Sequence, residues 1–149
     1  MDAMQEPARQ APALLLRTYM ITVTAGLVAR LPPRHLRRLL LLRRRGRREP
    51  GLEAALRVQA AVDHVQTSGW PLVRKGCLSR GLTLFWLLRR SGVDDLSLAF
   101  GVGPVDRAPT AHCWLVRNKL PYFETTDPTE MFTEIWRIDG DDIGHGRRR

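Results

Sequence analysis

The spacing of hydrophobic residues along the chain changes near residue 92. Before that point apolar side chains recur every three or four positions, which is the period of a helix that buries one face. Pro32-Pro33 interrupts this pattern, because proline lacks an amide donor and disfavours helix in the residue before it. The pattern predicts helices over residues 12–31, 34–45, 50–69 and 77–90.

After residue 95 the period becomes two, since large apolar residues alternate with small ones in LSLAFGV. This alternation is typical of a strand that packs on one face. The predicted elements are strands over residues 96–102, 111–116 and 120–124, a loop over 103–110, a tight turn over 117–119, and a short helix or strand over 132–138. Helices followed by a small antiparallel sheet make an α+β fold.

The length of the chain fits one domain. A chain of 149 residues buries roughly 70% of its unfolded surface on folding, which is enough for a sizeable core. We expect a single domain over 1–149, with a flexible start over 1–11, a helical region over 12–69, a catalytic core over 70–138 and a polar tail over 139–149.

Basic residues outnumber acidic ones by 24 to 15, and RHLRRLLLLRRRGRR is the densest basic run. Such a run most often forms a solvated helix face, although it also suits anionic lipid or an acidic peptide. Nucleic acid is not an expected partner, because no aromatic residues interleave with these arginines to stack on bases. The apolar stretch TYMITVTAGLVA is shorter than the roughly 20 residues that span a bilayer, so any expected membrane contact is peripheral.

Cys77 and Cys113 are too few for a disulfide scaffold, which indicates a reducing cytoplasm. Cys77 begins a predicted helix, whose N-terminus stabilises an anion by about 0.3–2 kcal/mol. A thiolate there is favoured, but a neighbouring imidazole is needed to complete its activation. The alternative interpretation is that Cys77 is a small buried hydrophobe.

His112 lies in the predicted strand AHCWLV and is the candidate base. Because side chains alternate along a strand, His112 and Trp114 share one face while Cys113 lies on the other. We expect the His112 face to lie against the Cys77 helix. On this argument His112 and Cys113 cannot both point at one reacting atom, so Cys113 is interpreted as structural.

A carboxylate across the following turn is the candidate third residue. With a three-residue turn at 117–119, His112 lies directly opposite Glu124; with a two-residue turn at 118–119, Glu124 is diagonal to it. Asp127 is the alternative acid, although a proline follows it and it is first a turn former.

No metal ion or other cofactor is expected. The chain has no Cys-x-x-Cys or His-x-x-x-His spacing, and His35, His64 and His145 are scattered. The chemistry of the candidate site must therefore come from side chains alone.

The order cysteine, histidine, acid resembles a papain-like or transglutaminase-like core. CLSRGLTLFWLLRRSGV, LAFGVG and AHCWLV resemble the small transglutaminase-like cysteine peptidases of lasso-peptide biosynthesis, of the McjB C-terminal type, over about residues 70–137. The resemblance implies that Cys77 is the nucleophile, His112 the general base and then acid, and Glu124 the orienting acid. The chain departs from that family in having Glu124 where aspartate is more often found and Gly76 where threonine is common.

The resemblance also implies a function. Such bacterial hydrolases remove the leader from a ribosomally made precursor peptide, and a macrolactam cyclase then closes the core peptide. The implied partners are the precursor, the cyclase and a separate leader-recognition protein. The backbone amide of Cys77 is the expected oxyanion donor, and Trp70 is a candidate for a second donor.

Two other functions fit the same residues. An acyltransferase with the same three residues would pass the acyl group to an amine instead of water. A noncatalytic module would bind membrane or an acidic partner through its arginine-rich helices.

Overall fold

The computed structural model describes residues 12–40 and 51–140. Four helices precede a four-stranded antiparallel sheet in this part of the chain, which confirms the predicted α+β class. The elements are α1 (Pro12–Val28), α2 (Pro33–Leu40), α3 (Leu52–Thr67), α4 (Cys77–Ser91), β1 (Leu96–Val105), β2 (Ala108–Arg117), β3 (Leu120–Tyr122) and β4 (Thr133–Asp139), with a 3₁₀ turn over Pro128–Glu130 between the last two strands.

The helix predictions hold in number and order, with ends that differ by a few residues. Helix α1 ends at Val28 rather than at residue 31, and α3 runs from Leu52 to Thr67. The predicted end of the second helix, the flexible start over 1–11 and the tail beyond Gly140 lie outside the described residues. The division into regions at residues 69 and 70 stays a prediction.

The loop predicted over 103–110 is wrong, because β1 and β2 pair along their whole length. Their turn contains only Asp106 and Arg107, both with positive φ, as a two-residue hairpin turn requires. Pro104 and Pro109, which lie within the predicted loop, face each other across the ladder near its end.

The second hairpin has the shorter of the two turns considered. Arg117 pairs with Leu120, and only Asn118 and Lys119, both with positive φ, lie between them. The strand predicted over 120–124 is too long. Strand β3 ends at Tyr122, because Phe123 adopts a left-handed φ of 60° that no strand can continue.

Helix α4 packs against one face of β1 and β2. A Cβ at Gly81 would lie 3.0 Å from Cys113 Sγ and 3.2 Å from Leu98 Cδ1, so a glycine is needed for this close approach. The expectation that the His112 face lies against this helix is therefore wrong. The opposite face holds Trp114, which is buried with Ala99 and Val116 and packs against the partly buried Phe132, so the sheet is covered on both faces rather than on one.

The N-terminal helices form a layer over α4. Helices α1 and α3 pack against each other and against α4, which in turn packs against the sheet. A buried hydrogen bond of 3.1 Å from Gln66 to Ser79 Oγ joins α3 to α4. In the described ranges no helix is long and apolar enough to cross a membrane.

Candidate active site

Cys77 is the first residue of α4. The residue before it, Gly76, has a φ of 136°, a conformation that other residues rarely adopt, and it provides no side-chain cap. The first amide groups of a helix have no partner within the helix and carry its positive dipole end. The half-buried Cys77 sulfur therefore lies where a negative charge is favoured.

The N-terminus of α4 meets β2 along an edge that no strand covers. Strand β3 pairs only with residues Leu115 to Arg117 of β2. Beside the uncovered part of β2, the Cys77 thiol lies close to the side chain and the backbone of Cys113 and to the side chain of His112, and all three groups lower its pKa. We expected that His112 and Cys113 could not both point at one reacting atom. This prediction is wrong, because α4 begins at the edge of β2 rather than over one face of the sheet, so that both residues reach the Cys77 sulfur.

Hydrogen bonding to Cys113 is the largest cause that lowers the pKa of Cys77, to about 5, and His112 adds a hydrogen bond and its charge, while burial opposes the shift. The hydrogen bond to Cys77 and burial raise the pKa of Cys113, whose thiol therefore keeps its proton and donates to the Cys77 thiolate. Cys113 is buried, as expected of a structural residue, but it also tunes the candidate nucleophile.

The imidazole of His112 stacks against two aromatic rings on the other face of the sheet. Its ring centroid lies 4.9 Å from that of Phe132 and 6.0 Å from that of Trp114, with both ring pairs stacked. Stacking limits the rotation of the imidazole. His112 thus reaches the strand edge in a defined orientation.

Glu124 places a carboxylate beside this imidazole. Its Oε2 lies 4.0 Å from His112 Nε2, and its Oε1 lies 3.6 Å from Arg80 Nη1. Burial raises the pKa of Glu124, whereas the charges of Arg80 and His112 lower it. The structure therefore brings Cys77, His112 and Glu124 together.

The alternative acid has a different local role. Asp127 is exposed and caps the 3₁₀ turn, where its carboxylate accepts hydrogen bonds of 2.9 Å from the Thr129 amide and 2.7 Å from the Thr129 hydroxyl. These bonds lower the pKa of Asp127. Asp127 is thus the turn former that its sequence context suggested.

Sequence reasoning missed Arg80 and Asp63. Arg80 Nε donates a 2.7 Å hydrogen bond to Asp63 on α3, so that a charged chain of contacts runs from the helical layer to the candidate acid. The available signal was the position of Arg80 one turn after Cys77, which puts its side chain on the same side of the helix.

The ring of Trp70, the candidate second oxyanion donor, packs against Tyr19 on α1, with the two ring centroids 5.0 Å apart. Among the described residues no cluster of His, Cys, Asp and Glu has the arrangement of a metal site. The backbone amide at the start of α4 has no partner within the helix, so it is a donor that the geometry offers.

This arrangement is suited to acyl chemistry. A thiolate at a helix start, an imidazole beside it and a carboxylate 4.0 Å from the imidazole are the parts of a thiol nucleophile with its own base. Such a group attacks a carbonyl carbon and forms a thioester.

Comparisons with known proteins agree with this geometry. A family model described as the transglutaminase-like superfamily matches residues 19–137. The comparisons with curated proteins and with solved structures each found no significant match. Because the family match covers most of the chain and reaches from α1 into β4, the protein belongs to the transglutaminase-like superfamily.

Proposed function

We propose that this protein is a cysteine peptidase that removes the leader from a ribosomally made precursor peptide during lasso-peptide maturation. The observation that carries the proposal is the convergence of Cys77, His112 and Glu124 at the start of α4. Thiol peptidases need this combination, because the thiolate is the attacking species and the departing amine needs a proton.

In the proposed reaction the Cys77 thiolate attacks the carbonyl carbon of the scissile peptide bond. The backbone amide of Cys77 donates a hydrogen bond to the developing oxyanion. Protonated His112 gives its proton to the leaving amine, the carbon–nitrogen bond breaks, and the leader stays on Cys77 as a thioester. His112 then takes a proton from water, whose oxygen attacks the thioester, and the leader departs as a carboxylate while Cys77 returns to the thiolate.

The lasso pathway is supported by the segments around the site. CLSRGLTLFWLLRRSGV and AHCWLV contain the candidate nucleophile and base, and both resemble leader peptidases of that pathway. The implied partners are therefore a precursor peptide, a separate leader-recognition protein and a macrolactam cyclase. The proposed location is the bacterial cytoplasm, with no nucleic-acid partner and no bound cofactor.

A peripheral membrane contact is part of this proposal. Leu16, Met20 and Leu27 of α1 are 60%, 57% and 63% exposed. Arg34 and Arg38 on α2 are exposed as well. Exposed apolar side chains near basic ones suit the surface of an anionic membrane.

Acyl transfer to an amine is the second candidate function, because membership of the transglutaminase-like superfamily fits it equally well. Both reactions share the Cys77 thioester and differ in the group that releases it. Hydrolysis is unaffected by an added primary amine such as methylamine, whereas a transferase gives an amide product whose yield rises with amine concentration.

The test uses the full chain with the precursor peptides encoded beside its gene, with and without a leader-recognition protein encoded there. Mass spectrometry is expected to find a free leader carboxylate with the wild type and intact precursor with Cys77→Ala. Precursor that stays intact with every combination of partners would contradict the leader-peptidase proposal. A noncatalytic module predicts, in addition, that Cys77 reacts like an ordinary thiol.

A further inference from the structure

Arg80 contacts three groups on two other segments of the chain. Its Nε donates to Asp63 Oδ1 at 2.7 Å, its Nη2 donates to the Phe123 carbonyl at 3.4 Å, and its Nη1 lies 3.6 Å from Glu124 Oε1. The planar guanidinium presents donors in several directions at once, which a lysine ammonium does not reproduce. One side chain therefore links α3, α4 and the segment after β3.

The segment that Arg80 holds is strained. Phe123 has a φ of 60°, and a bulky residue in this left-handed region costs about 1–3 kcal/mol unless its surroundings enforce it. The hydrogen bond from Arg80 to the Phe123 carbonyl is one such constraint. The bend at Phe123 directs the chain off β3 just before Glu124.

Arg80 also acts on the charge of Glu124. The Glu124 side chain is only 17% exposed, and burial raises the pKa of its carboxyl. Arg80 and His112 lower that pKa, while Asp63 and the Cys77 thiolate raise it. Arg80 is fixed in place by the short hydrogen bond that it donates to Asp63 on α3.

We propose that Arg80 is a positioning residue, anchored by Asp63, which holds Glu124 and the Phe123 bend so that the carboxylate faces His112 Nε2. The inference rests on the proposed function, since Glu124 matters only if His112 acts as the base. It makes the N-terminal helical layer part of the reaction machinery, because α3 supplies the anchor.

The test measures how fast an acyl group leaves Cys77. The probe is p-nitrophenyl acetate: the thiolate takes the acetyl group, p-nitrophenolate departs, and water then releases acetate from the thioester with His112 as base. Intact-protein mass spectrometry and peptide mapping follow the acetyl group on Cys77 as a function of pH. The variants are Arg80→Gln, Arg80→Lys and Asp63→Asn.

Arg57→Gln is the matched control, since Arg57 is also a helix arginine in an ion pair, with Glu53 at 2.9 Å, and its side chain is 60% exposed. We expect Arg80→Gln to slow deacylation about 10- to 100-fold, the size of effect that a misplacement of about 1 Å produces. The acidic limb of its pH profile should move to higher pH, because the charge that lowers the pKa of Glu124 is lost.

Arg80→Lys separates charge from geometry. This variant keeps the positive charge, so the acidic limb of its pH profile should stay near that of the wild type. Its deacylation rate should fall, because the ammonium does not reproduce the several donors of the planar guanidinium. Asp63→Asn should slow deacylation less than Arg80→Gln, and Arg57→Gln should change neither rate nor pH profile. Melting temperatures measured alongside show whether each variant is folded at the assay temperature.

The outcomes distinguish this inference from the proposed function. Wild-type protein that is never acetylated at Cys77 would overturn the proposed function. Wild-type protein that turns over, together with an Arg80→Gln variant whose rate and acidic limb match it, would overturn the positioning role. If Arg80→Gln does not fold, Arg80→Lys decides. A deacylation rate of Arg80→Lys equal to that of the wild type overturns the inference, whereas a slower rate with an unchanged acidic limb supports it.

Discussion

Glu124 Oε2 lies 4.0 Å from His112 Nε2 although the strand that leads toward Glu124 ends at Tyr122. Strand pairing therefore does not deliver the carboxylate. The bend at Phe123 and the contact with Arg80 bring it there instead. The position of the candidate acid thus depends on tertiary contacts, which makes it sensitive to substitutions on α3 and α4.

Glu124→Gln tests the candidate acid against its alternative. Removing the carboxylate charge should lower turnover of p-nitrophenyl acetate about 10- to 100-fold, because the imidazole loses its orienting partner. Asp127→Asn is the control, since asparagine also caps a helix start and should leave turnover unchanged. Equal losses in the two variants, or a loss only in Asp127→Asn, would contradict the assignment of Glu124.

Cys113→Ala tests whether the second thiol tunes the first. It removes the donor that does most to lower the pKa of Cys77, so that pKa should rise from about 5 toward its ordinary value. A hydrogen bond to a charged group is worth about 1.5–3 kcal/mol, which corresponds to about one to two pKa units. The measurement is the midpoint of the Cys77 alkylation rate against pH.

Cys113→Ser is the companion variant, because its hydroxyl keeps a donor near the Cys77 sulfur. Its midpoint should lie between those of the wild type and Cys113→Ala. Identical midpoints in all three proteins would show that Cys113 is a packing residue only.

Gly81→Ala should destabilise the fold, against the usual preference of helices for alanine. The new Cβ would lie 3.0 Å from Cys113 Sγ and 3.2 Å from Leu98 Cδ1, both buried. Alanine gains about 1 kcal/mol in helix propensity, while overpacking costs about 1–3 kcal/mol. The free energy of unfolding from urea titration should therefore fall by about 1 kcal/mol.

Gly26→Ala on α1 is the control for helix propensity. Its Cβ would lie 3.3 Å from the flexible Arg74 side chain, which can move aside. The free energy of unfolding should therefore rise by about 0.5–1 kcal/mol. Stabilisation by both substitutions would mean that α4 is not packed against Cys113 as described.

Much of the fold was predictable from local patterns. The α+β order, the helix that begins at Cys77 and the change of period after residue 95 follow from spacing and from the proline and glycine positions. The hairpin at Asp106 and Arg107 was missed because proline is rare inside strands, whereas Pro104 and Pro109 pair in register at the end of this ladder.

The geometry of the candidate site was predictable only in part. The choice of Cys77, His112 and Glu124 came from residue types and approximate register. The contact between Cys77 and Cys113 was missed because alternation describes the faces of a sheet, whereas α4 begins at the edge of β2. The bend at Phe123 has no local signal, since phenylalanine disfavours a positive φ and adopts it here under tertiary constraint.

The pH dependence of Cys77 alkylation by iodoacetamide tests the central claim, that this sulfur is a thiolate at neutral pH, most directly. The lowered pKa of Cys77 predicts a rate that rises through a midpoint of about pH 5 and is level from pH 6.5 to 9. The midpoint is the diagnostic quantity, because a thiolate of low pKa is also a weaker nucleophile. His112→Ala should move it upward, whereas a wild-type rate that climbs through about pH 8.5, unchanged in His112→Ala, would contradict the account.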